Sequence, residues 1–224
     1  LRAMIRFGWS LPKPLKLIIT LHGSEIPKFS KNPIELRFFR NLLLRADKIH
    51  VLSSYNFKSL VKLCPEVEDK IFLNAGAPAR AILPSSKSSG VRNYKKDDIT
   101  LLSVGRIHPR KGQLELLETI SRLPNHLKER LSCHFVGPYK KAGYARKVIN
   151  KSRSIGCEVQ FLGDLSNSDL KNAYQKADIF ALTSKPMPNS VEGFGFVYLE
   201  ASAHGLPILA HHVGGVEDAV QHGK

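Results

Sequence analysis

The chain has 224 residues, 42% hydrophobic and 24% charged, with 16 Gly and 13 Pro, which is the profile of a folded globular protein of one or two domains and excludes collagen, low-complexity disorder and a disulfide-stapled miniprotein. Three cysteines (Cys64, Cys133, Cys157) stand without metal-ligand spacing, and no apolar run approaches the roughly 20 residues that span a bilayer. The net charge of +15 is uneven: residues 1–96 carry 18 Lys/Arg against 6 Asp/Glu, and residues 97–224 carry 16 against 13.

Short β-branched runs alternate with helical patterns. Residues 15–21 read as a buried strand. Residues 33–45 read as a basic amphipathic helix, with Ile34, Leu36, Phe38, Phe39, Leu42 and Leu43 on its apolar side. Residues 48–52 form a strand, Ser53 and Ser54 cap a helix running to Cys64, and residues 71–73 form a further strand. Residues 85–96, SSKSSGVRNYKK, are polar and read as a linker. Five more βα units follow. Strands over 99–104, 132–136, 158–162, 178–183 and 207–211 lead to helices over 113–123, 144–154, 166–176, 194–204 and 216–221.

Such alternation predicts parallel sheets with helices on both faces, and ligands bound beyond the carboxyl ends of the strands. The linker then divides the chain into two Rossmann-like lobes: residues 1–96, including the linker, and residues 97–224. Three strands are too few for a complete first lobe, and the second stops at a helix end. The chain therefore reads as the middle of a longer protein. The sparse, odd cysteine count suits a reducing compartment, with Cys133 and Cys157 as buried inert thiols, so a cytoplasmic location is expected. The basic first lobe fits either a solubilising surface or peripheral contact with an anionic membrane. No nucleic-acid reading motif or aromatic stacking series accompanies the charge, so no nucleic acid is expected as partner.

Four strand-end segments carry candidate chemistry. GRIHPRKG (105–112) follows a strand and opens a helix. Gly105 permits a tight turn, helix-start N–H groups favour an anion, Arg106 offers a planar fork for phosphate oxygens, and Lys111 adds a point charge. The segment reads as a diphosphate clamp or as a solvated basic loop. EGFGFVYLE (192–200) places two carboxylates, Glu192 and Glu200, around the Gly193–Gly195 turn. Carboxylates only accept hydrogen bonds and so suit sugar hydroxyls, although a capping Glu and a solvent-facing Glu would look the same. In PILAHHVGGVE (207–217), His211 and His212 point to opposite faces of an extended strand, so no metal site is expected. His22, in TLHGSE (20–25), leaves a strand end beside a glycine, as a structural or a functional residue.

Together these segments resemble glycosyltransferase family 4, the retaining nucleotide-sugar glycosyltransferases of GT-B fold. LSVGRIHPRKG resembles the family's phosphate loop, and EGFGFVYLEASAHGLPILA its paired-glutamate signature; VGGVEDAVQHGK and ADKIHVLSSYNFKSLVKL fit as well. The resemblance implies that Arg106 and Lys111 hold the donor diphosphate beside Gly105. It implies that Glu192 orients the transferred sugar with the backbone of Gly193, Phe194 and Gly195, and that Glu200 holds the ribose. Gly163 and Leu165 would lie near the base, Val136-Gly137 at a pocket edge, and His22 would face the sugar from the other lobe. The implied partners are a nucleoside-diphosphate sugar and a sugar or lipid-linked acceptor, with no cofactor and no metal. Polysaccharide or glycolipid assembly is the implied setting. The family's Asn-Gly-hydrophobic-Asp turn is replaced here by Asn74-Ala75-Gly76-Ala77-Pro78, and its N-terminal glycine loop and C-terminal crossing helix have no counterpart. The alternative reading is a catalytically silent donor-binding fragment or interaction module.

Overall fold

The structure, a computed structural model, describes residues 16–84, 98–139, 143–188 and 190–223. The linker expected over 85–96 lies outside them. The described chain packs as two compact units. One contains the chain up to Gly76, Pro186–Gly195 and the residues from His212 onward, and the other contains Ala77–Lys185 and Phe196–His211.

In the first unit β1 (Ile18–Leu21), β2 (Lys48–Val51) and β3 (Ile71–Leu73) form a parallel sheet in that order. Between them run α1 (Glu25–Phe29), α2 (Pro33–Arg45) and α3 (Ser54–Leu63). α2 starts where the sequence says it should: Pro33 presets the first turn and the Asn32 side chain accepts from the Ile34 and Glu35 N–H groups. Register places Ile19 beside Ile49, and Leu21 beside Val51, so these face one core with Phe29, Phe39, Leu43 and Leu60.

Two expectations change here. β1 is buried on one face only: Ile18 and Thr20 are exposed, as is Phe72 of β3 in register with Thr20 through His50. The described helices thus cover one side of this sheet, not both. On α2, Phe39, Leu42 and Leu43 are buried, but Ile34 is 67% exposed. Ile34 sits in the first turn on the outward stripe with Arg37, Asn41 and Leu44, at spacings of three and four residues.

The second unit holds a five-stranded, all-parallel sheet. Its strands are β4 (Ile99–Val104), β5 (Leu131–Val136), β6 (Glu158–Gly163), β7 (Ile179–Leu182) and β8 (Ile208–Ala210), in the order β6-β5-β4-β7-β8. The helices are α4 (Gln113–Ile120), α5 (Asn125–Lys128), α6 (Tyr144–Ser152), α7 (Asn167–Lys176) and α8 (Phe196–Ala203), with α9 (Val216–Ala219) following in the first unit. Leu116 and Leu117 of α4 and Val148 of α6 pack on Leu101, Cys133 and Phe135. On the other face Tyr174 of α7 and Tyr198 of α8 pack against Phe180, with centroids 6.1 and 5.9 Å away. Strand order reverses around β4, and the crevice beyond the strand ends at such a switch point is where doubly wound sheets bind ligands.

Several boundaries fall short of the sequence pattern for local reasons. α4 ends at Ile120 rather than 123 because Pro124 disfavours helix at the residue before it, and the Arg122 and Leu123 N–H groups turn back to Thr119 and Ile120. The helix expected from 194 starts at Phe196, because Gly195 stands at φ +91°, outside the helical region. α6 and α9 likewise end two residues early. Cys157 is half-buried and Cys133 buried, and their sulfurs lie 3.9 Å apart as free thiols. Burial raises the pKa of both, which keeps them protonated.

Candidate active site

The β4 exit loop is built by its own backbone and by three neighbours. Gly105 N–H donates to the Val136 carbonyl (2.8 Å), and Gly137 N–H donates to the Gly163 carbonyl (2.7 Å), so the ends of β4, β5 and β6 are laced together. Residues 109–111 form a single tight helical turn capped by His108, whose Nδ1 accepts from Arg110 N–H (3.2 Å). Gly112 then takes φ +70° and opens α4. A Cβ there would lie 2.1 Å from the Thr183 carbonyl oxygen, and Thr183 Oγ1 donates to the Gly112 carbonyl (3.0 Å). Only glycine satisfies both the conformation and the contact.

Gln113, buried, spans the loop from inside. Its Nε2 donates to the Arg106 carbonyl (2.9 Å) and its Oε1 accepts from His108 N–H (3.3 Å). Lys185, beyond β7, donates its N–H to the Arg110 carbonyl (2.8 Å) and pairs its ammonium with Glu115 of α4. On this frame Arg106 is exposed, while the Lys111 stem lies against Gly105, Cε being 3.5 Å from where a Cβ would stand. Burial, and then the charges of Arg106, Arg110 and Lys111, hold the His108 pKa below its ordinary value. The loop therefore concentrates positive charge beside a neutral imidazole. One expected element is changed: Leu114 N–H, at the start of α4, already donates to Tyr144 Oη (2.9 Å), so the helix start does not offer all its N–H groups to an anion.

Glu200 is in the same unit, buried in α8. Its Oε2 accepts from Tyr174 Oη at 2.7 Å. Burial first, and the Glu200 charge second, push the Tyr174 phenol far up, so it stays a donor. The Tyr174 ring stacks on His204 (5.3 Å, 10°), and His204 Nε2 donates to the Ile82 carbonyl (2.8 Å). Gly163 ends β6, and Leu165 lines a groove beside α7 with His134, Leu162 and Asn172.

The remaining expected residues lie in the first unit. Glu192 is buried and Gly193 meets the β1 exit loop backbone to backbone: a Cβ on Gly193 would lie 1.8 Å from the His22 carbonyl oxygen. Gly215 N–H donates to the Glu192 carbonyl (2.9 Å), and Asn56 Nδ2 to the Gly193 carbonyl (3.2 Å). Phe194 is buried beside Gly195. The His22 side chain is exposed, while its N–H and that of Gly23 donate to Glu25 Oε2 (3.1 and 2.9 Å). In the second unit His211 bonds the Ser184 carbonyl, while His212 of the first pairs with Glu217. The structure thus groups Arg106, Lys111 and Glu200 in one unit, and His22, Glu192, Gly193, Phe194 and Gly195 in the other. Sequence reasoning missed Gln113, Thr183, Lys185, Tyr174 and Asn56. A signal existed only for Gln113, as an amide one residue after a loop glycine that could reach back to the loop.

The family model described as "Glycosyl transferases group 1" matches residues 85–224. The chain belongs to that family. Relatives include the GDP-mannose-dependent monoacylated alpha-(1-6)-phosphatidylinositol monomannoside mannosyltransferase of Corynebacterium glutamicum. This member of group 1 is 29% identical to it over 217 residues, 92% of this chain and 54% of the relative. A D-inositol 3-phosphate glycosyltransferase of Rhodococcus erythropolis is 34% identical over 159 residues, 66% of this chain and 34% of the relative. Among solved structures, Anabaena HepE in complex with UDP and glucose superposes with a TM-score of 0.74 at 22% identity, covering 93% of this chain and 56% of that one. Sucrose-phosphate synthase from Thermosynechococcus elongatus gives 0.72 at 21%, covering 96% and 55%. These likenesses establish the GT-B fold. The group 1 chain spans about half the length of the first relatives it matches.

Proposed function

We propose that the protein transfers a sugar from a nucleoside-diphosphate donor to a hydroxyl acceptor, with retention at the anomeric carbon. The observation that carries this is the β4 exit loop, where Gln113, Thr183 and Lys185 fix the backbone that presents Arg106 and Lys111. As the glycosidic bond breaks, the leaving diphosphate gains negative charge. Cations carried there on a braced backbone would stabilise the transition state with little reorganisation. In this reading Arg106 and Lys111 supply the positive charge, so the chemistry calls for no metal. Glu200, held by Tyr174, accepts from the ribose hydroxyls, and Gly163 and Leu165 lie on the base side. Glu192 accepts from hydroxyls of the transferred sugar, with the Gly193–Gly195 backbone and His22 beside it. The departing phosphate takes the acceptor proton on the same face, which leaves Glu192 a sugar-positioning role. The names of relatives include GDP-mannose as donor and phosphorylated inositols as acceptors, which supports phosphoinositol-type acceptors and glycolipid assembly among the candidates.

A second reading concerns the membrane. The outward stripe of α2 sets two exposed apolar side chains, Ile34 and Leu44, around Arg37, and it suits peripheral contact with anionic lipid.

The test of the transferase reading is release of nucleoside diphosphate by the full-length protein from a panel of GDP- and UDP-sugars with phosphoinositol acceptors. Wild type should turn over at least one donor, and Glu192→Ala and Lys111→Ala should each lose at least about 100-fold. Full turnover in both variants refutes the assignment; donor binding without turnover by wild type favours the silent alternative.

A further inference from the structure

Ser53 caps α3, accepting from Asn56 N–H (3.2 Å), and this places Asn56 in the first turn of that helix, fully buried. A polar amide with no exposure needs partners for both its ends. Nδ2 finds one in the Gly193 carbonyl at 3.2 Å. Oδ1 has none among the described residues. The amide also presses against the β1 exit loop: a Cβ on Gly23 would lie 3.0 Å from Oδ1 and 3.2 Å from Nδ2. An apolar side chain of the same volume would fill this space without leaving an oxygen unpaired. What it would not do is hold the Gly193 carbonyl.

The Glu192–Gly193 segment is gripped at two successive carbonyls. The first accepts from Gly215 N–H, in the turn before α9, and the second from Asn56. α9 is in turn tied to α3, because Asp218 Oδ2 accepts from Ser54 N–H. Without the Asn56 grip the Gly193 carbonyl would lose its side-chain donor, and the peptide after Glu192 would be held only by Gly215 and by its close backbone contact with the β1 exit loop. We propose that Asn56 is a positioning residue, fixing the Glu192–Gly193 peptide and through it the direction of the Glu192 carboxylate. The proposal rests on reading Glu192 as the sugar-side group.

The test uses Asn56→Asp and Asn56→Leu in the full-length protein, with kcat and donor KM followed from pH 6 to 8.5 beside thermal unfolding. Ionised Asp keeps the shape but cannot donate to a carbonyl; protonated Asp can. Burial raises a carboxyl pKa, which brings that protonation toward the working range. Both variants should lose about 10- to 100-fold in kcat near pH 8, the scale of an ångström-sized misplacement, while donor KM stays within about threefold. As pH falls, the kcat of Asn56→Asp relative to wild type should climb, while that of Asn56→Leu stays flat. Glu25 of α1, Asp218 of α9, Glu192 and His22 face this region and are common to all three proteins, so the ratio to wild type removes their contribution. A flat ratio for Asp, wild-type kcat in both variants, or kcat losses that follow losses of melting temperature would each overturn the proposal. If wild type itself turns over no donor, the transferase reading fails and this one falls with it.

Discussion

His108 shows how one residue links loop geometry to pH. Its Nδ1 accepts from Arg110 N–H, which requires an unprotonated nitrogen. Burial and three neighbouring cations hold its pKa below the free value of about 6.5. Above that value the imidazole is neutral in folded and unfolded chains alike, and the loop has its full stability. Between that value and the lowered folded one the unfolded chain binds the proton first, so stability falls as pH falls. His108→Asn keeps a capping acceptor and removes the titration. Melting temperature between pH 7.5 and 5 should therefore decline less steeply in His108→Asn than in wild type. Equal slopes would mean that the imidazole does not support the loop. The charged types in this loop and its glycines were legible in the sequence. The braces were not, since Thr183 and Lys185 reach it from more than 70 residues away.

Helices and strands were read well wherever local chemistry decides them. Asn32-Pro33 marks the start of α2, and Ser166 caps α7 by accepting from Asp169 N–H. α1 escaped notice because it is five residues long and contains Pro27, so no periodicity announces it. The pairing of α7 with α8 was equally hidden, because it rests on Tyr174 and Glu200, which meet only in the packed unit. That pair makes a prediction. Tyr174→Phe removes a charge-assisted bond to a buried carboxylate, worth about 1.5–3 kcal/mol. The ring, its stack on His204 and its contact with Phe180 are retained. Glu200 then loses its fixed orientation, and donor KM should rise about tenfold with kcat changed by less than about threefold. Calorimetry with the nucleoside diphosphate alone should show the same weakening. Unchanged affinity would separate Glu200 from the donor.

At the scale of the whole molecule, charge is the property that composition states and the fold redistributes. Of the net +15, +12 falls in residues 1–96. The sequence pattern put Phe38 and Phe39 on the apolar side of α2 beside basic residues, which suits either a helix packed on a core or an interfacial one. Folding uses them for packing: Phe39 is buried, Phe38 packs against the same core, and Arg40 pairs with Glu66 at 2.5 Å. What α2 leaves outside is Ile34, Arg37, Asn41 and Leu44, the last 42% exposed. That stripe is narrower than the pattern suggested, and apolar insertion by two side chains is small. On the proposed reading, attraction of this stripe to an anionic surface is chiefly electrostatic, at about 1 kcal/mol for each basic residue near it, and is screened by salt. The protein should sediment with vesicles containing about a third phosphatidylserine, and much less with neutral ones. Raising salt from about 0.1 to 0.5 M should release it. Ile34→Ser with Leu44→Ser should weaken binding less than Arg37→Glu does. If neutral vesicles bind equally, or salt has no effect, the proposed peripheral contact is refuted and the basic excess serves solubility.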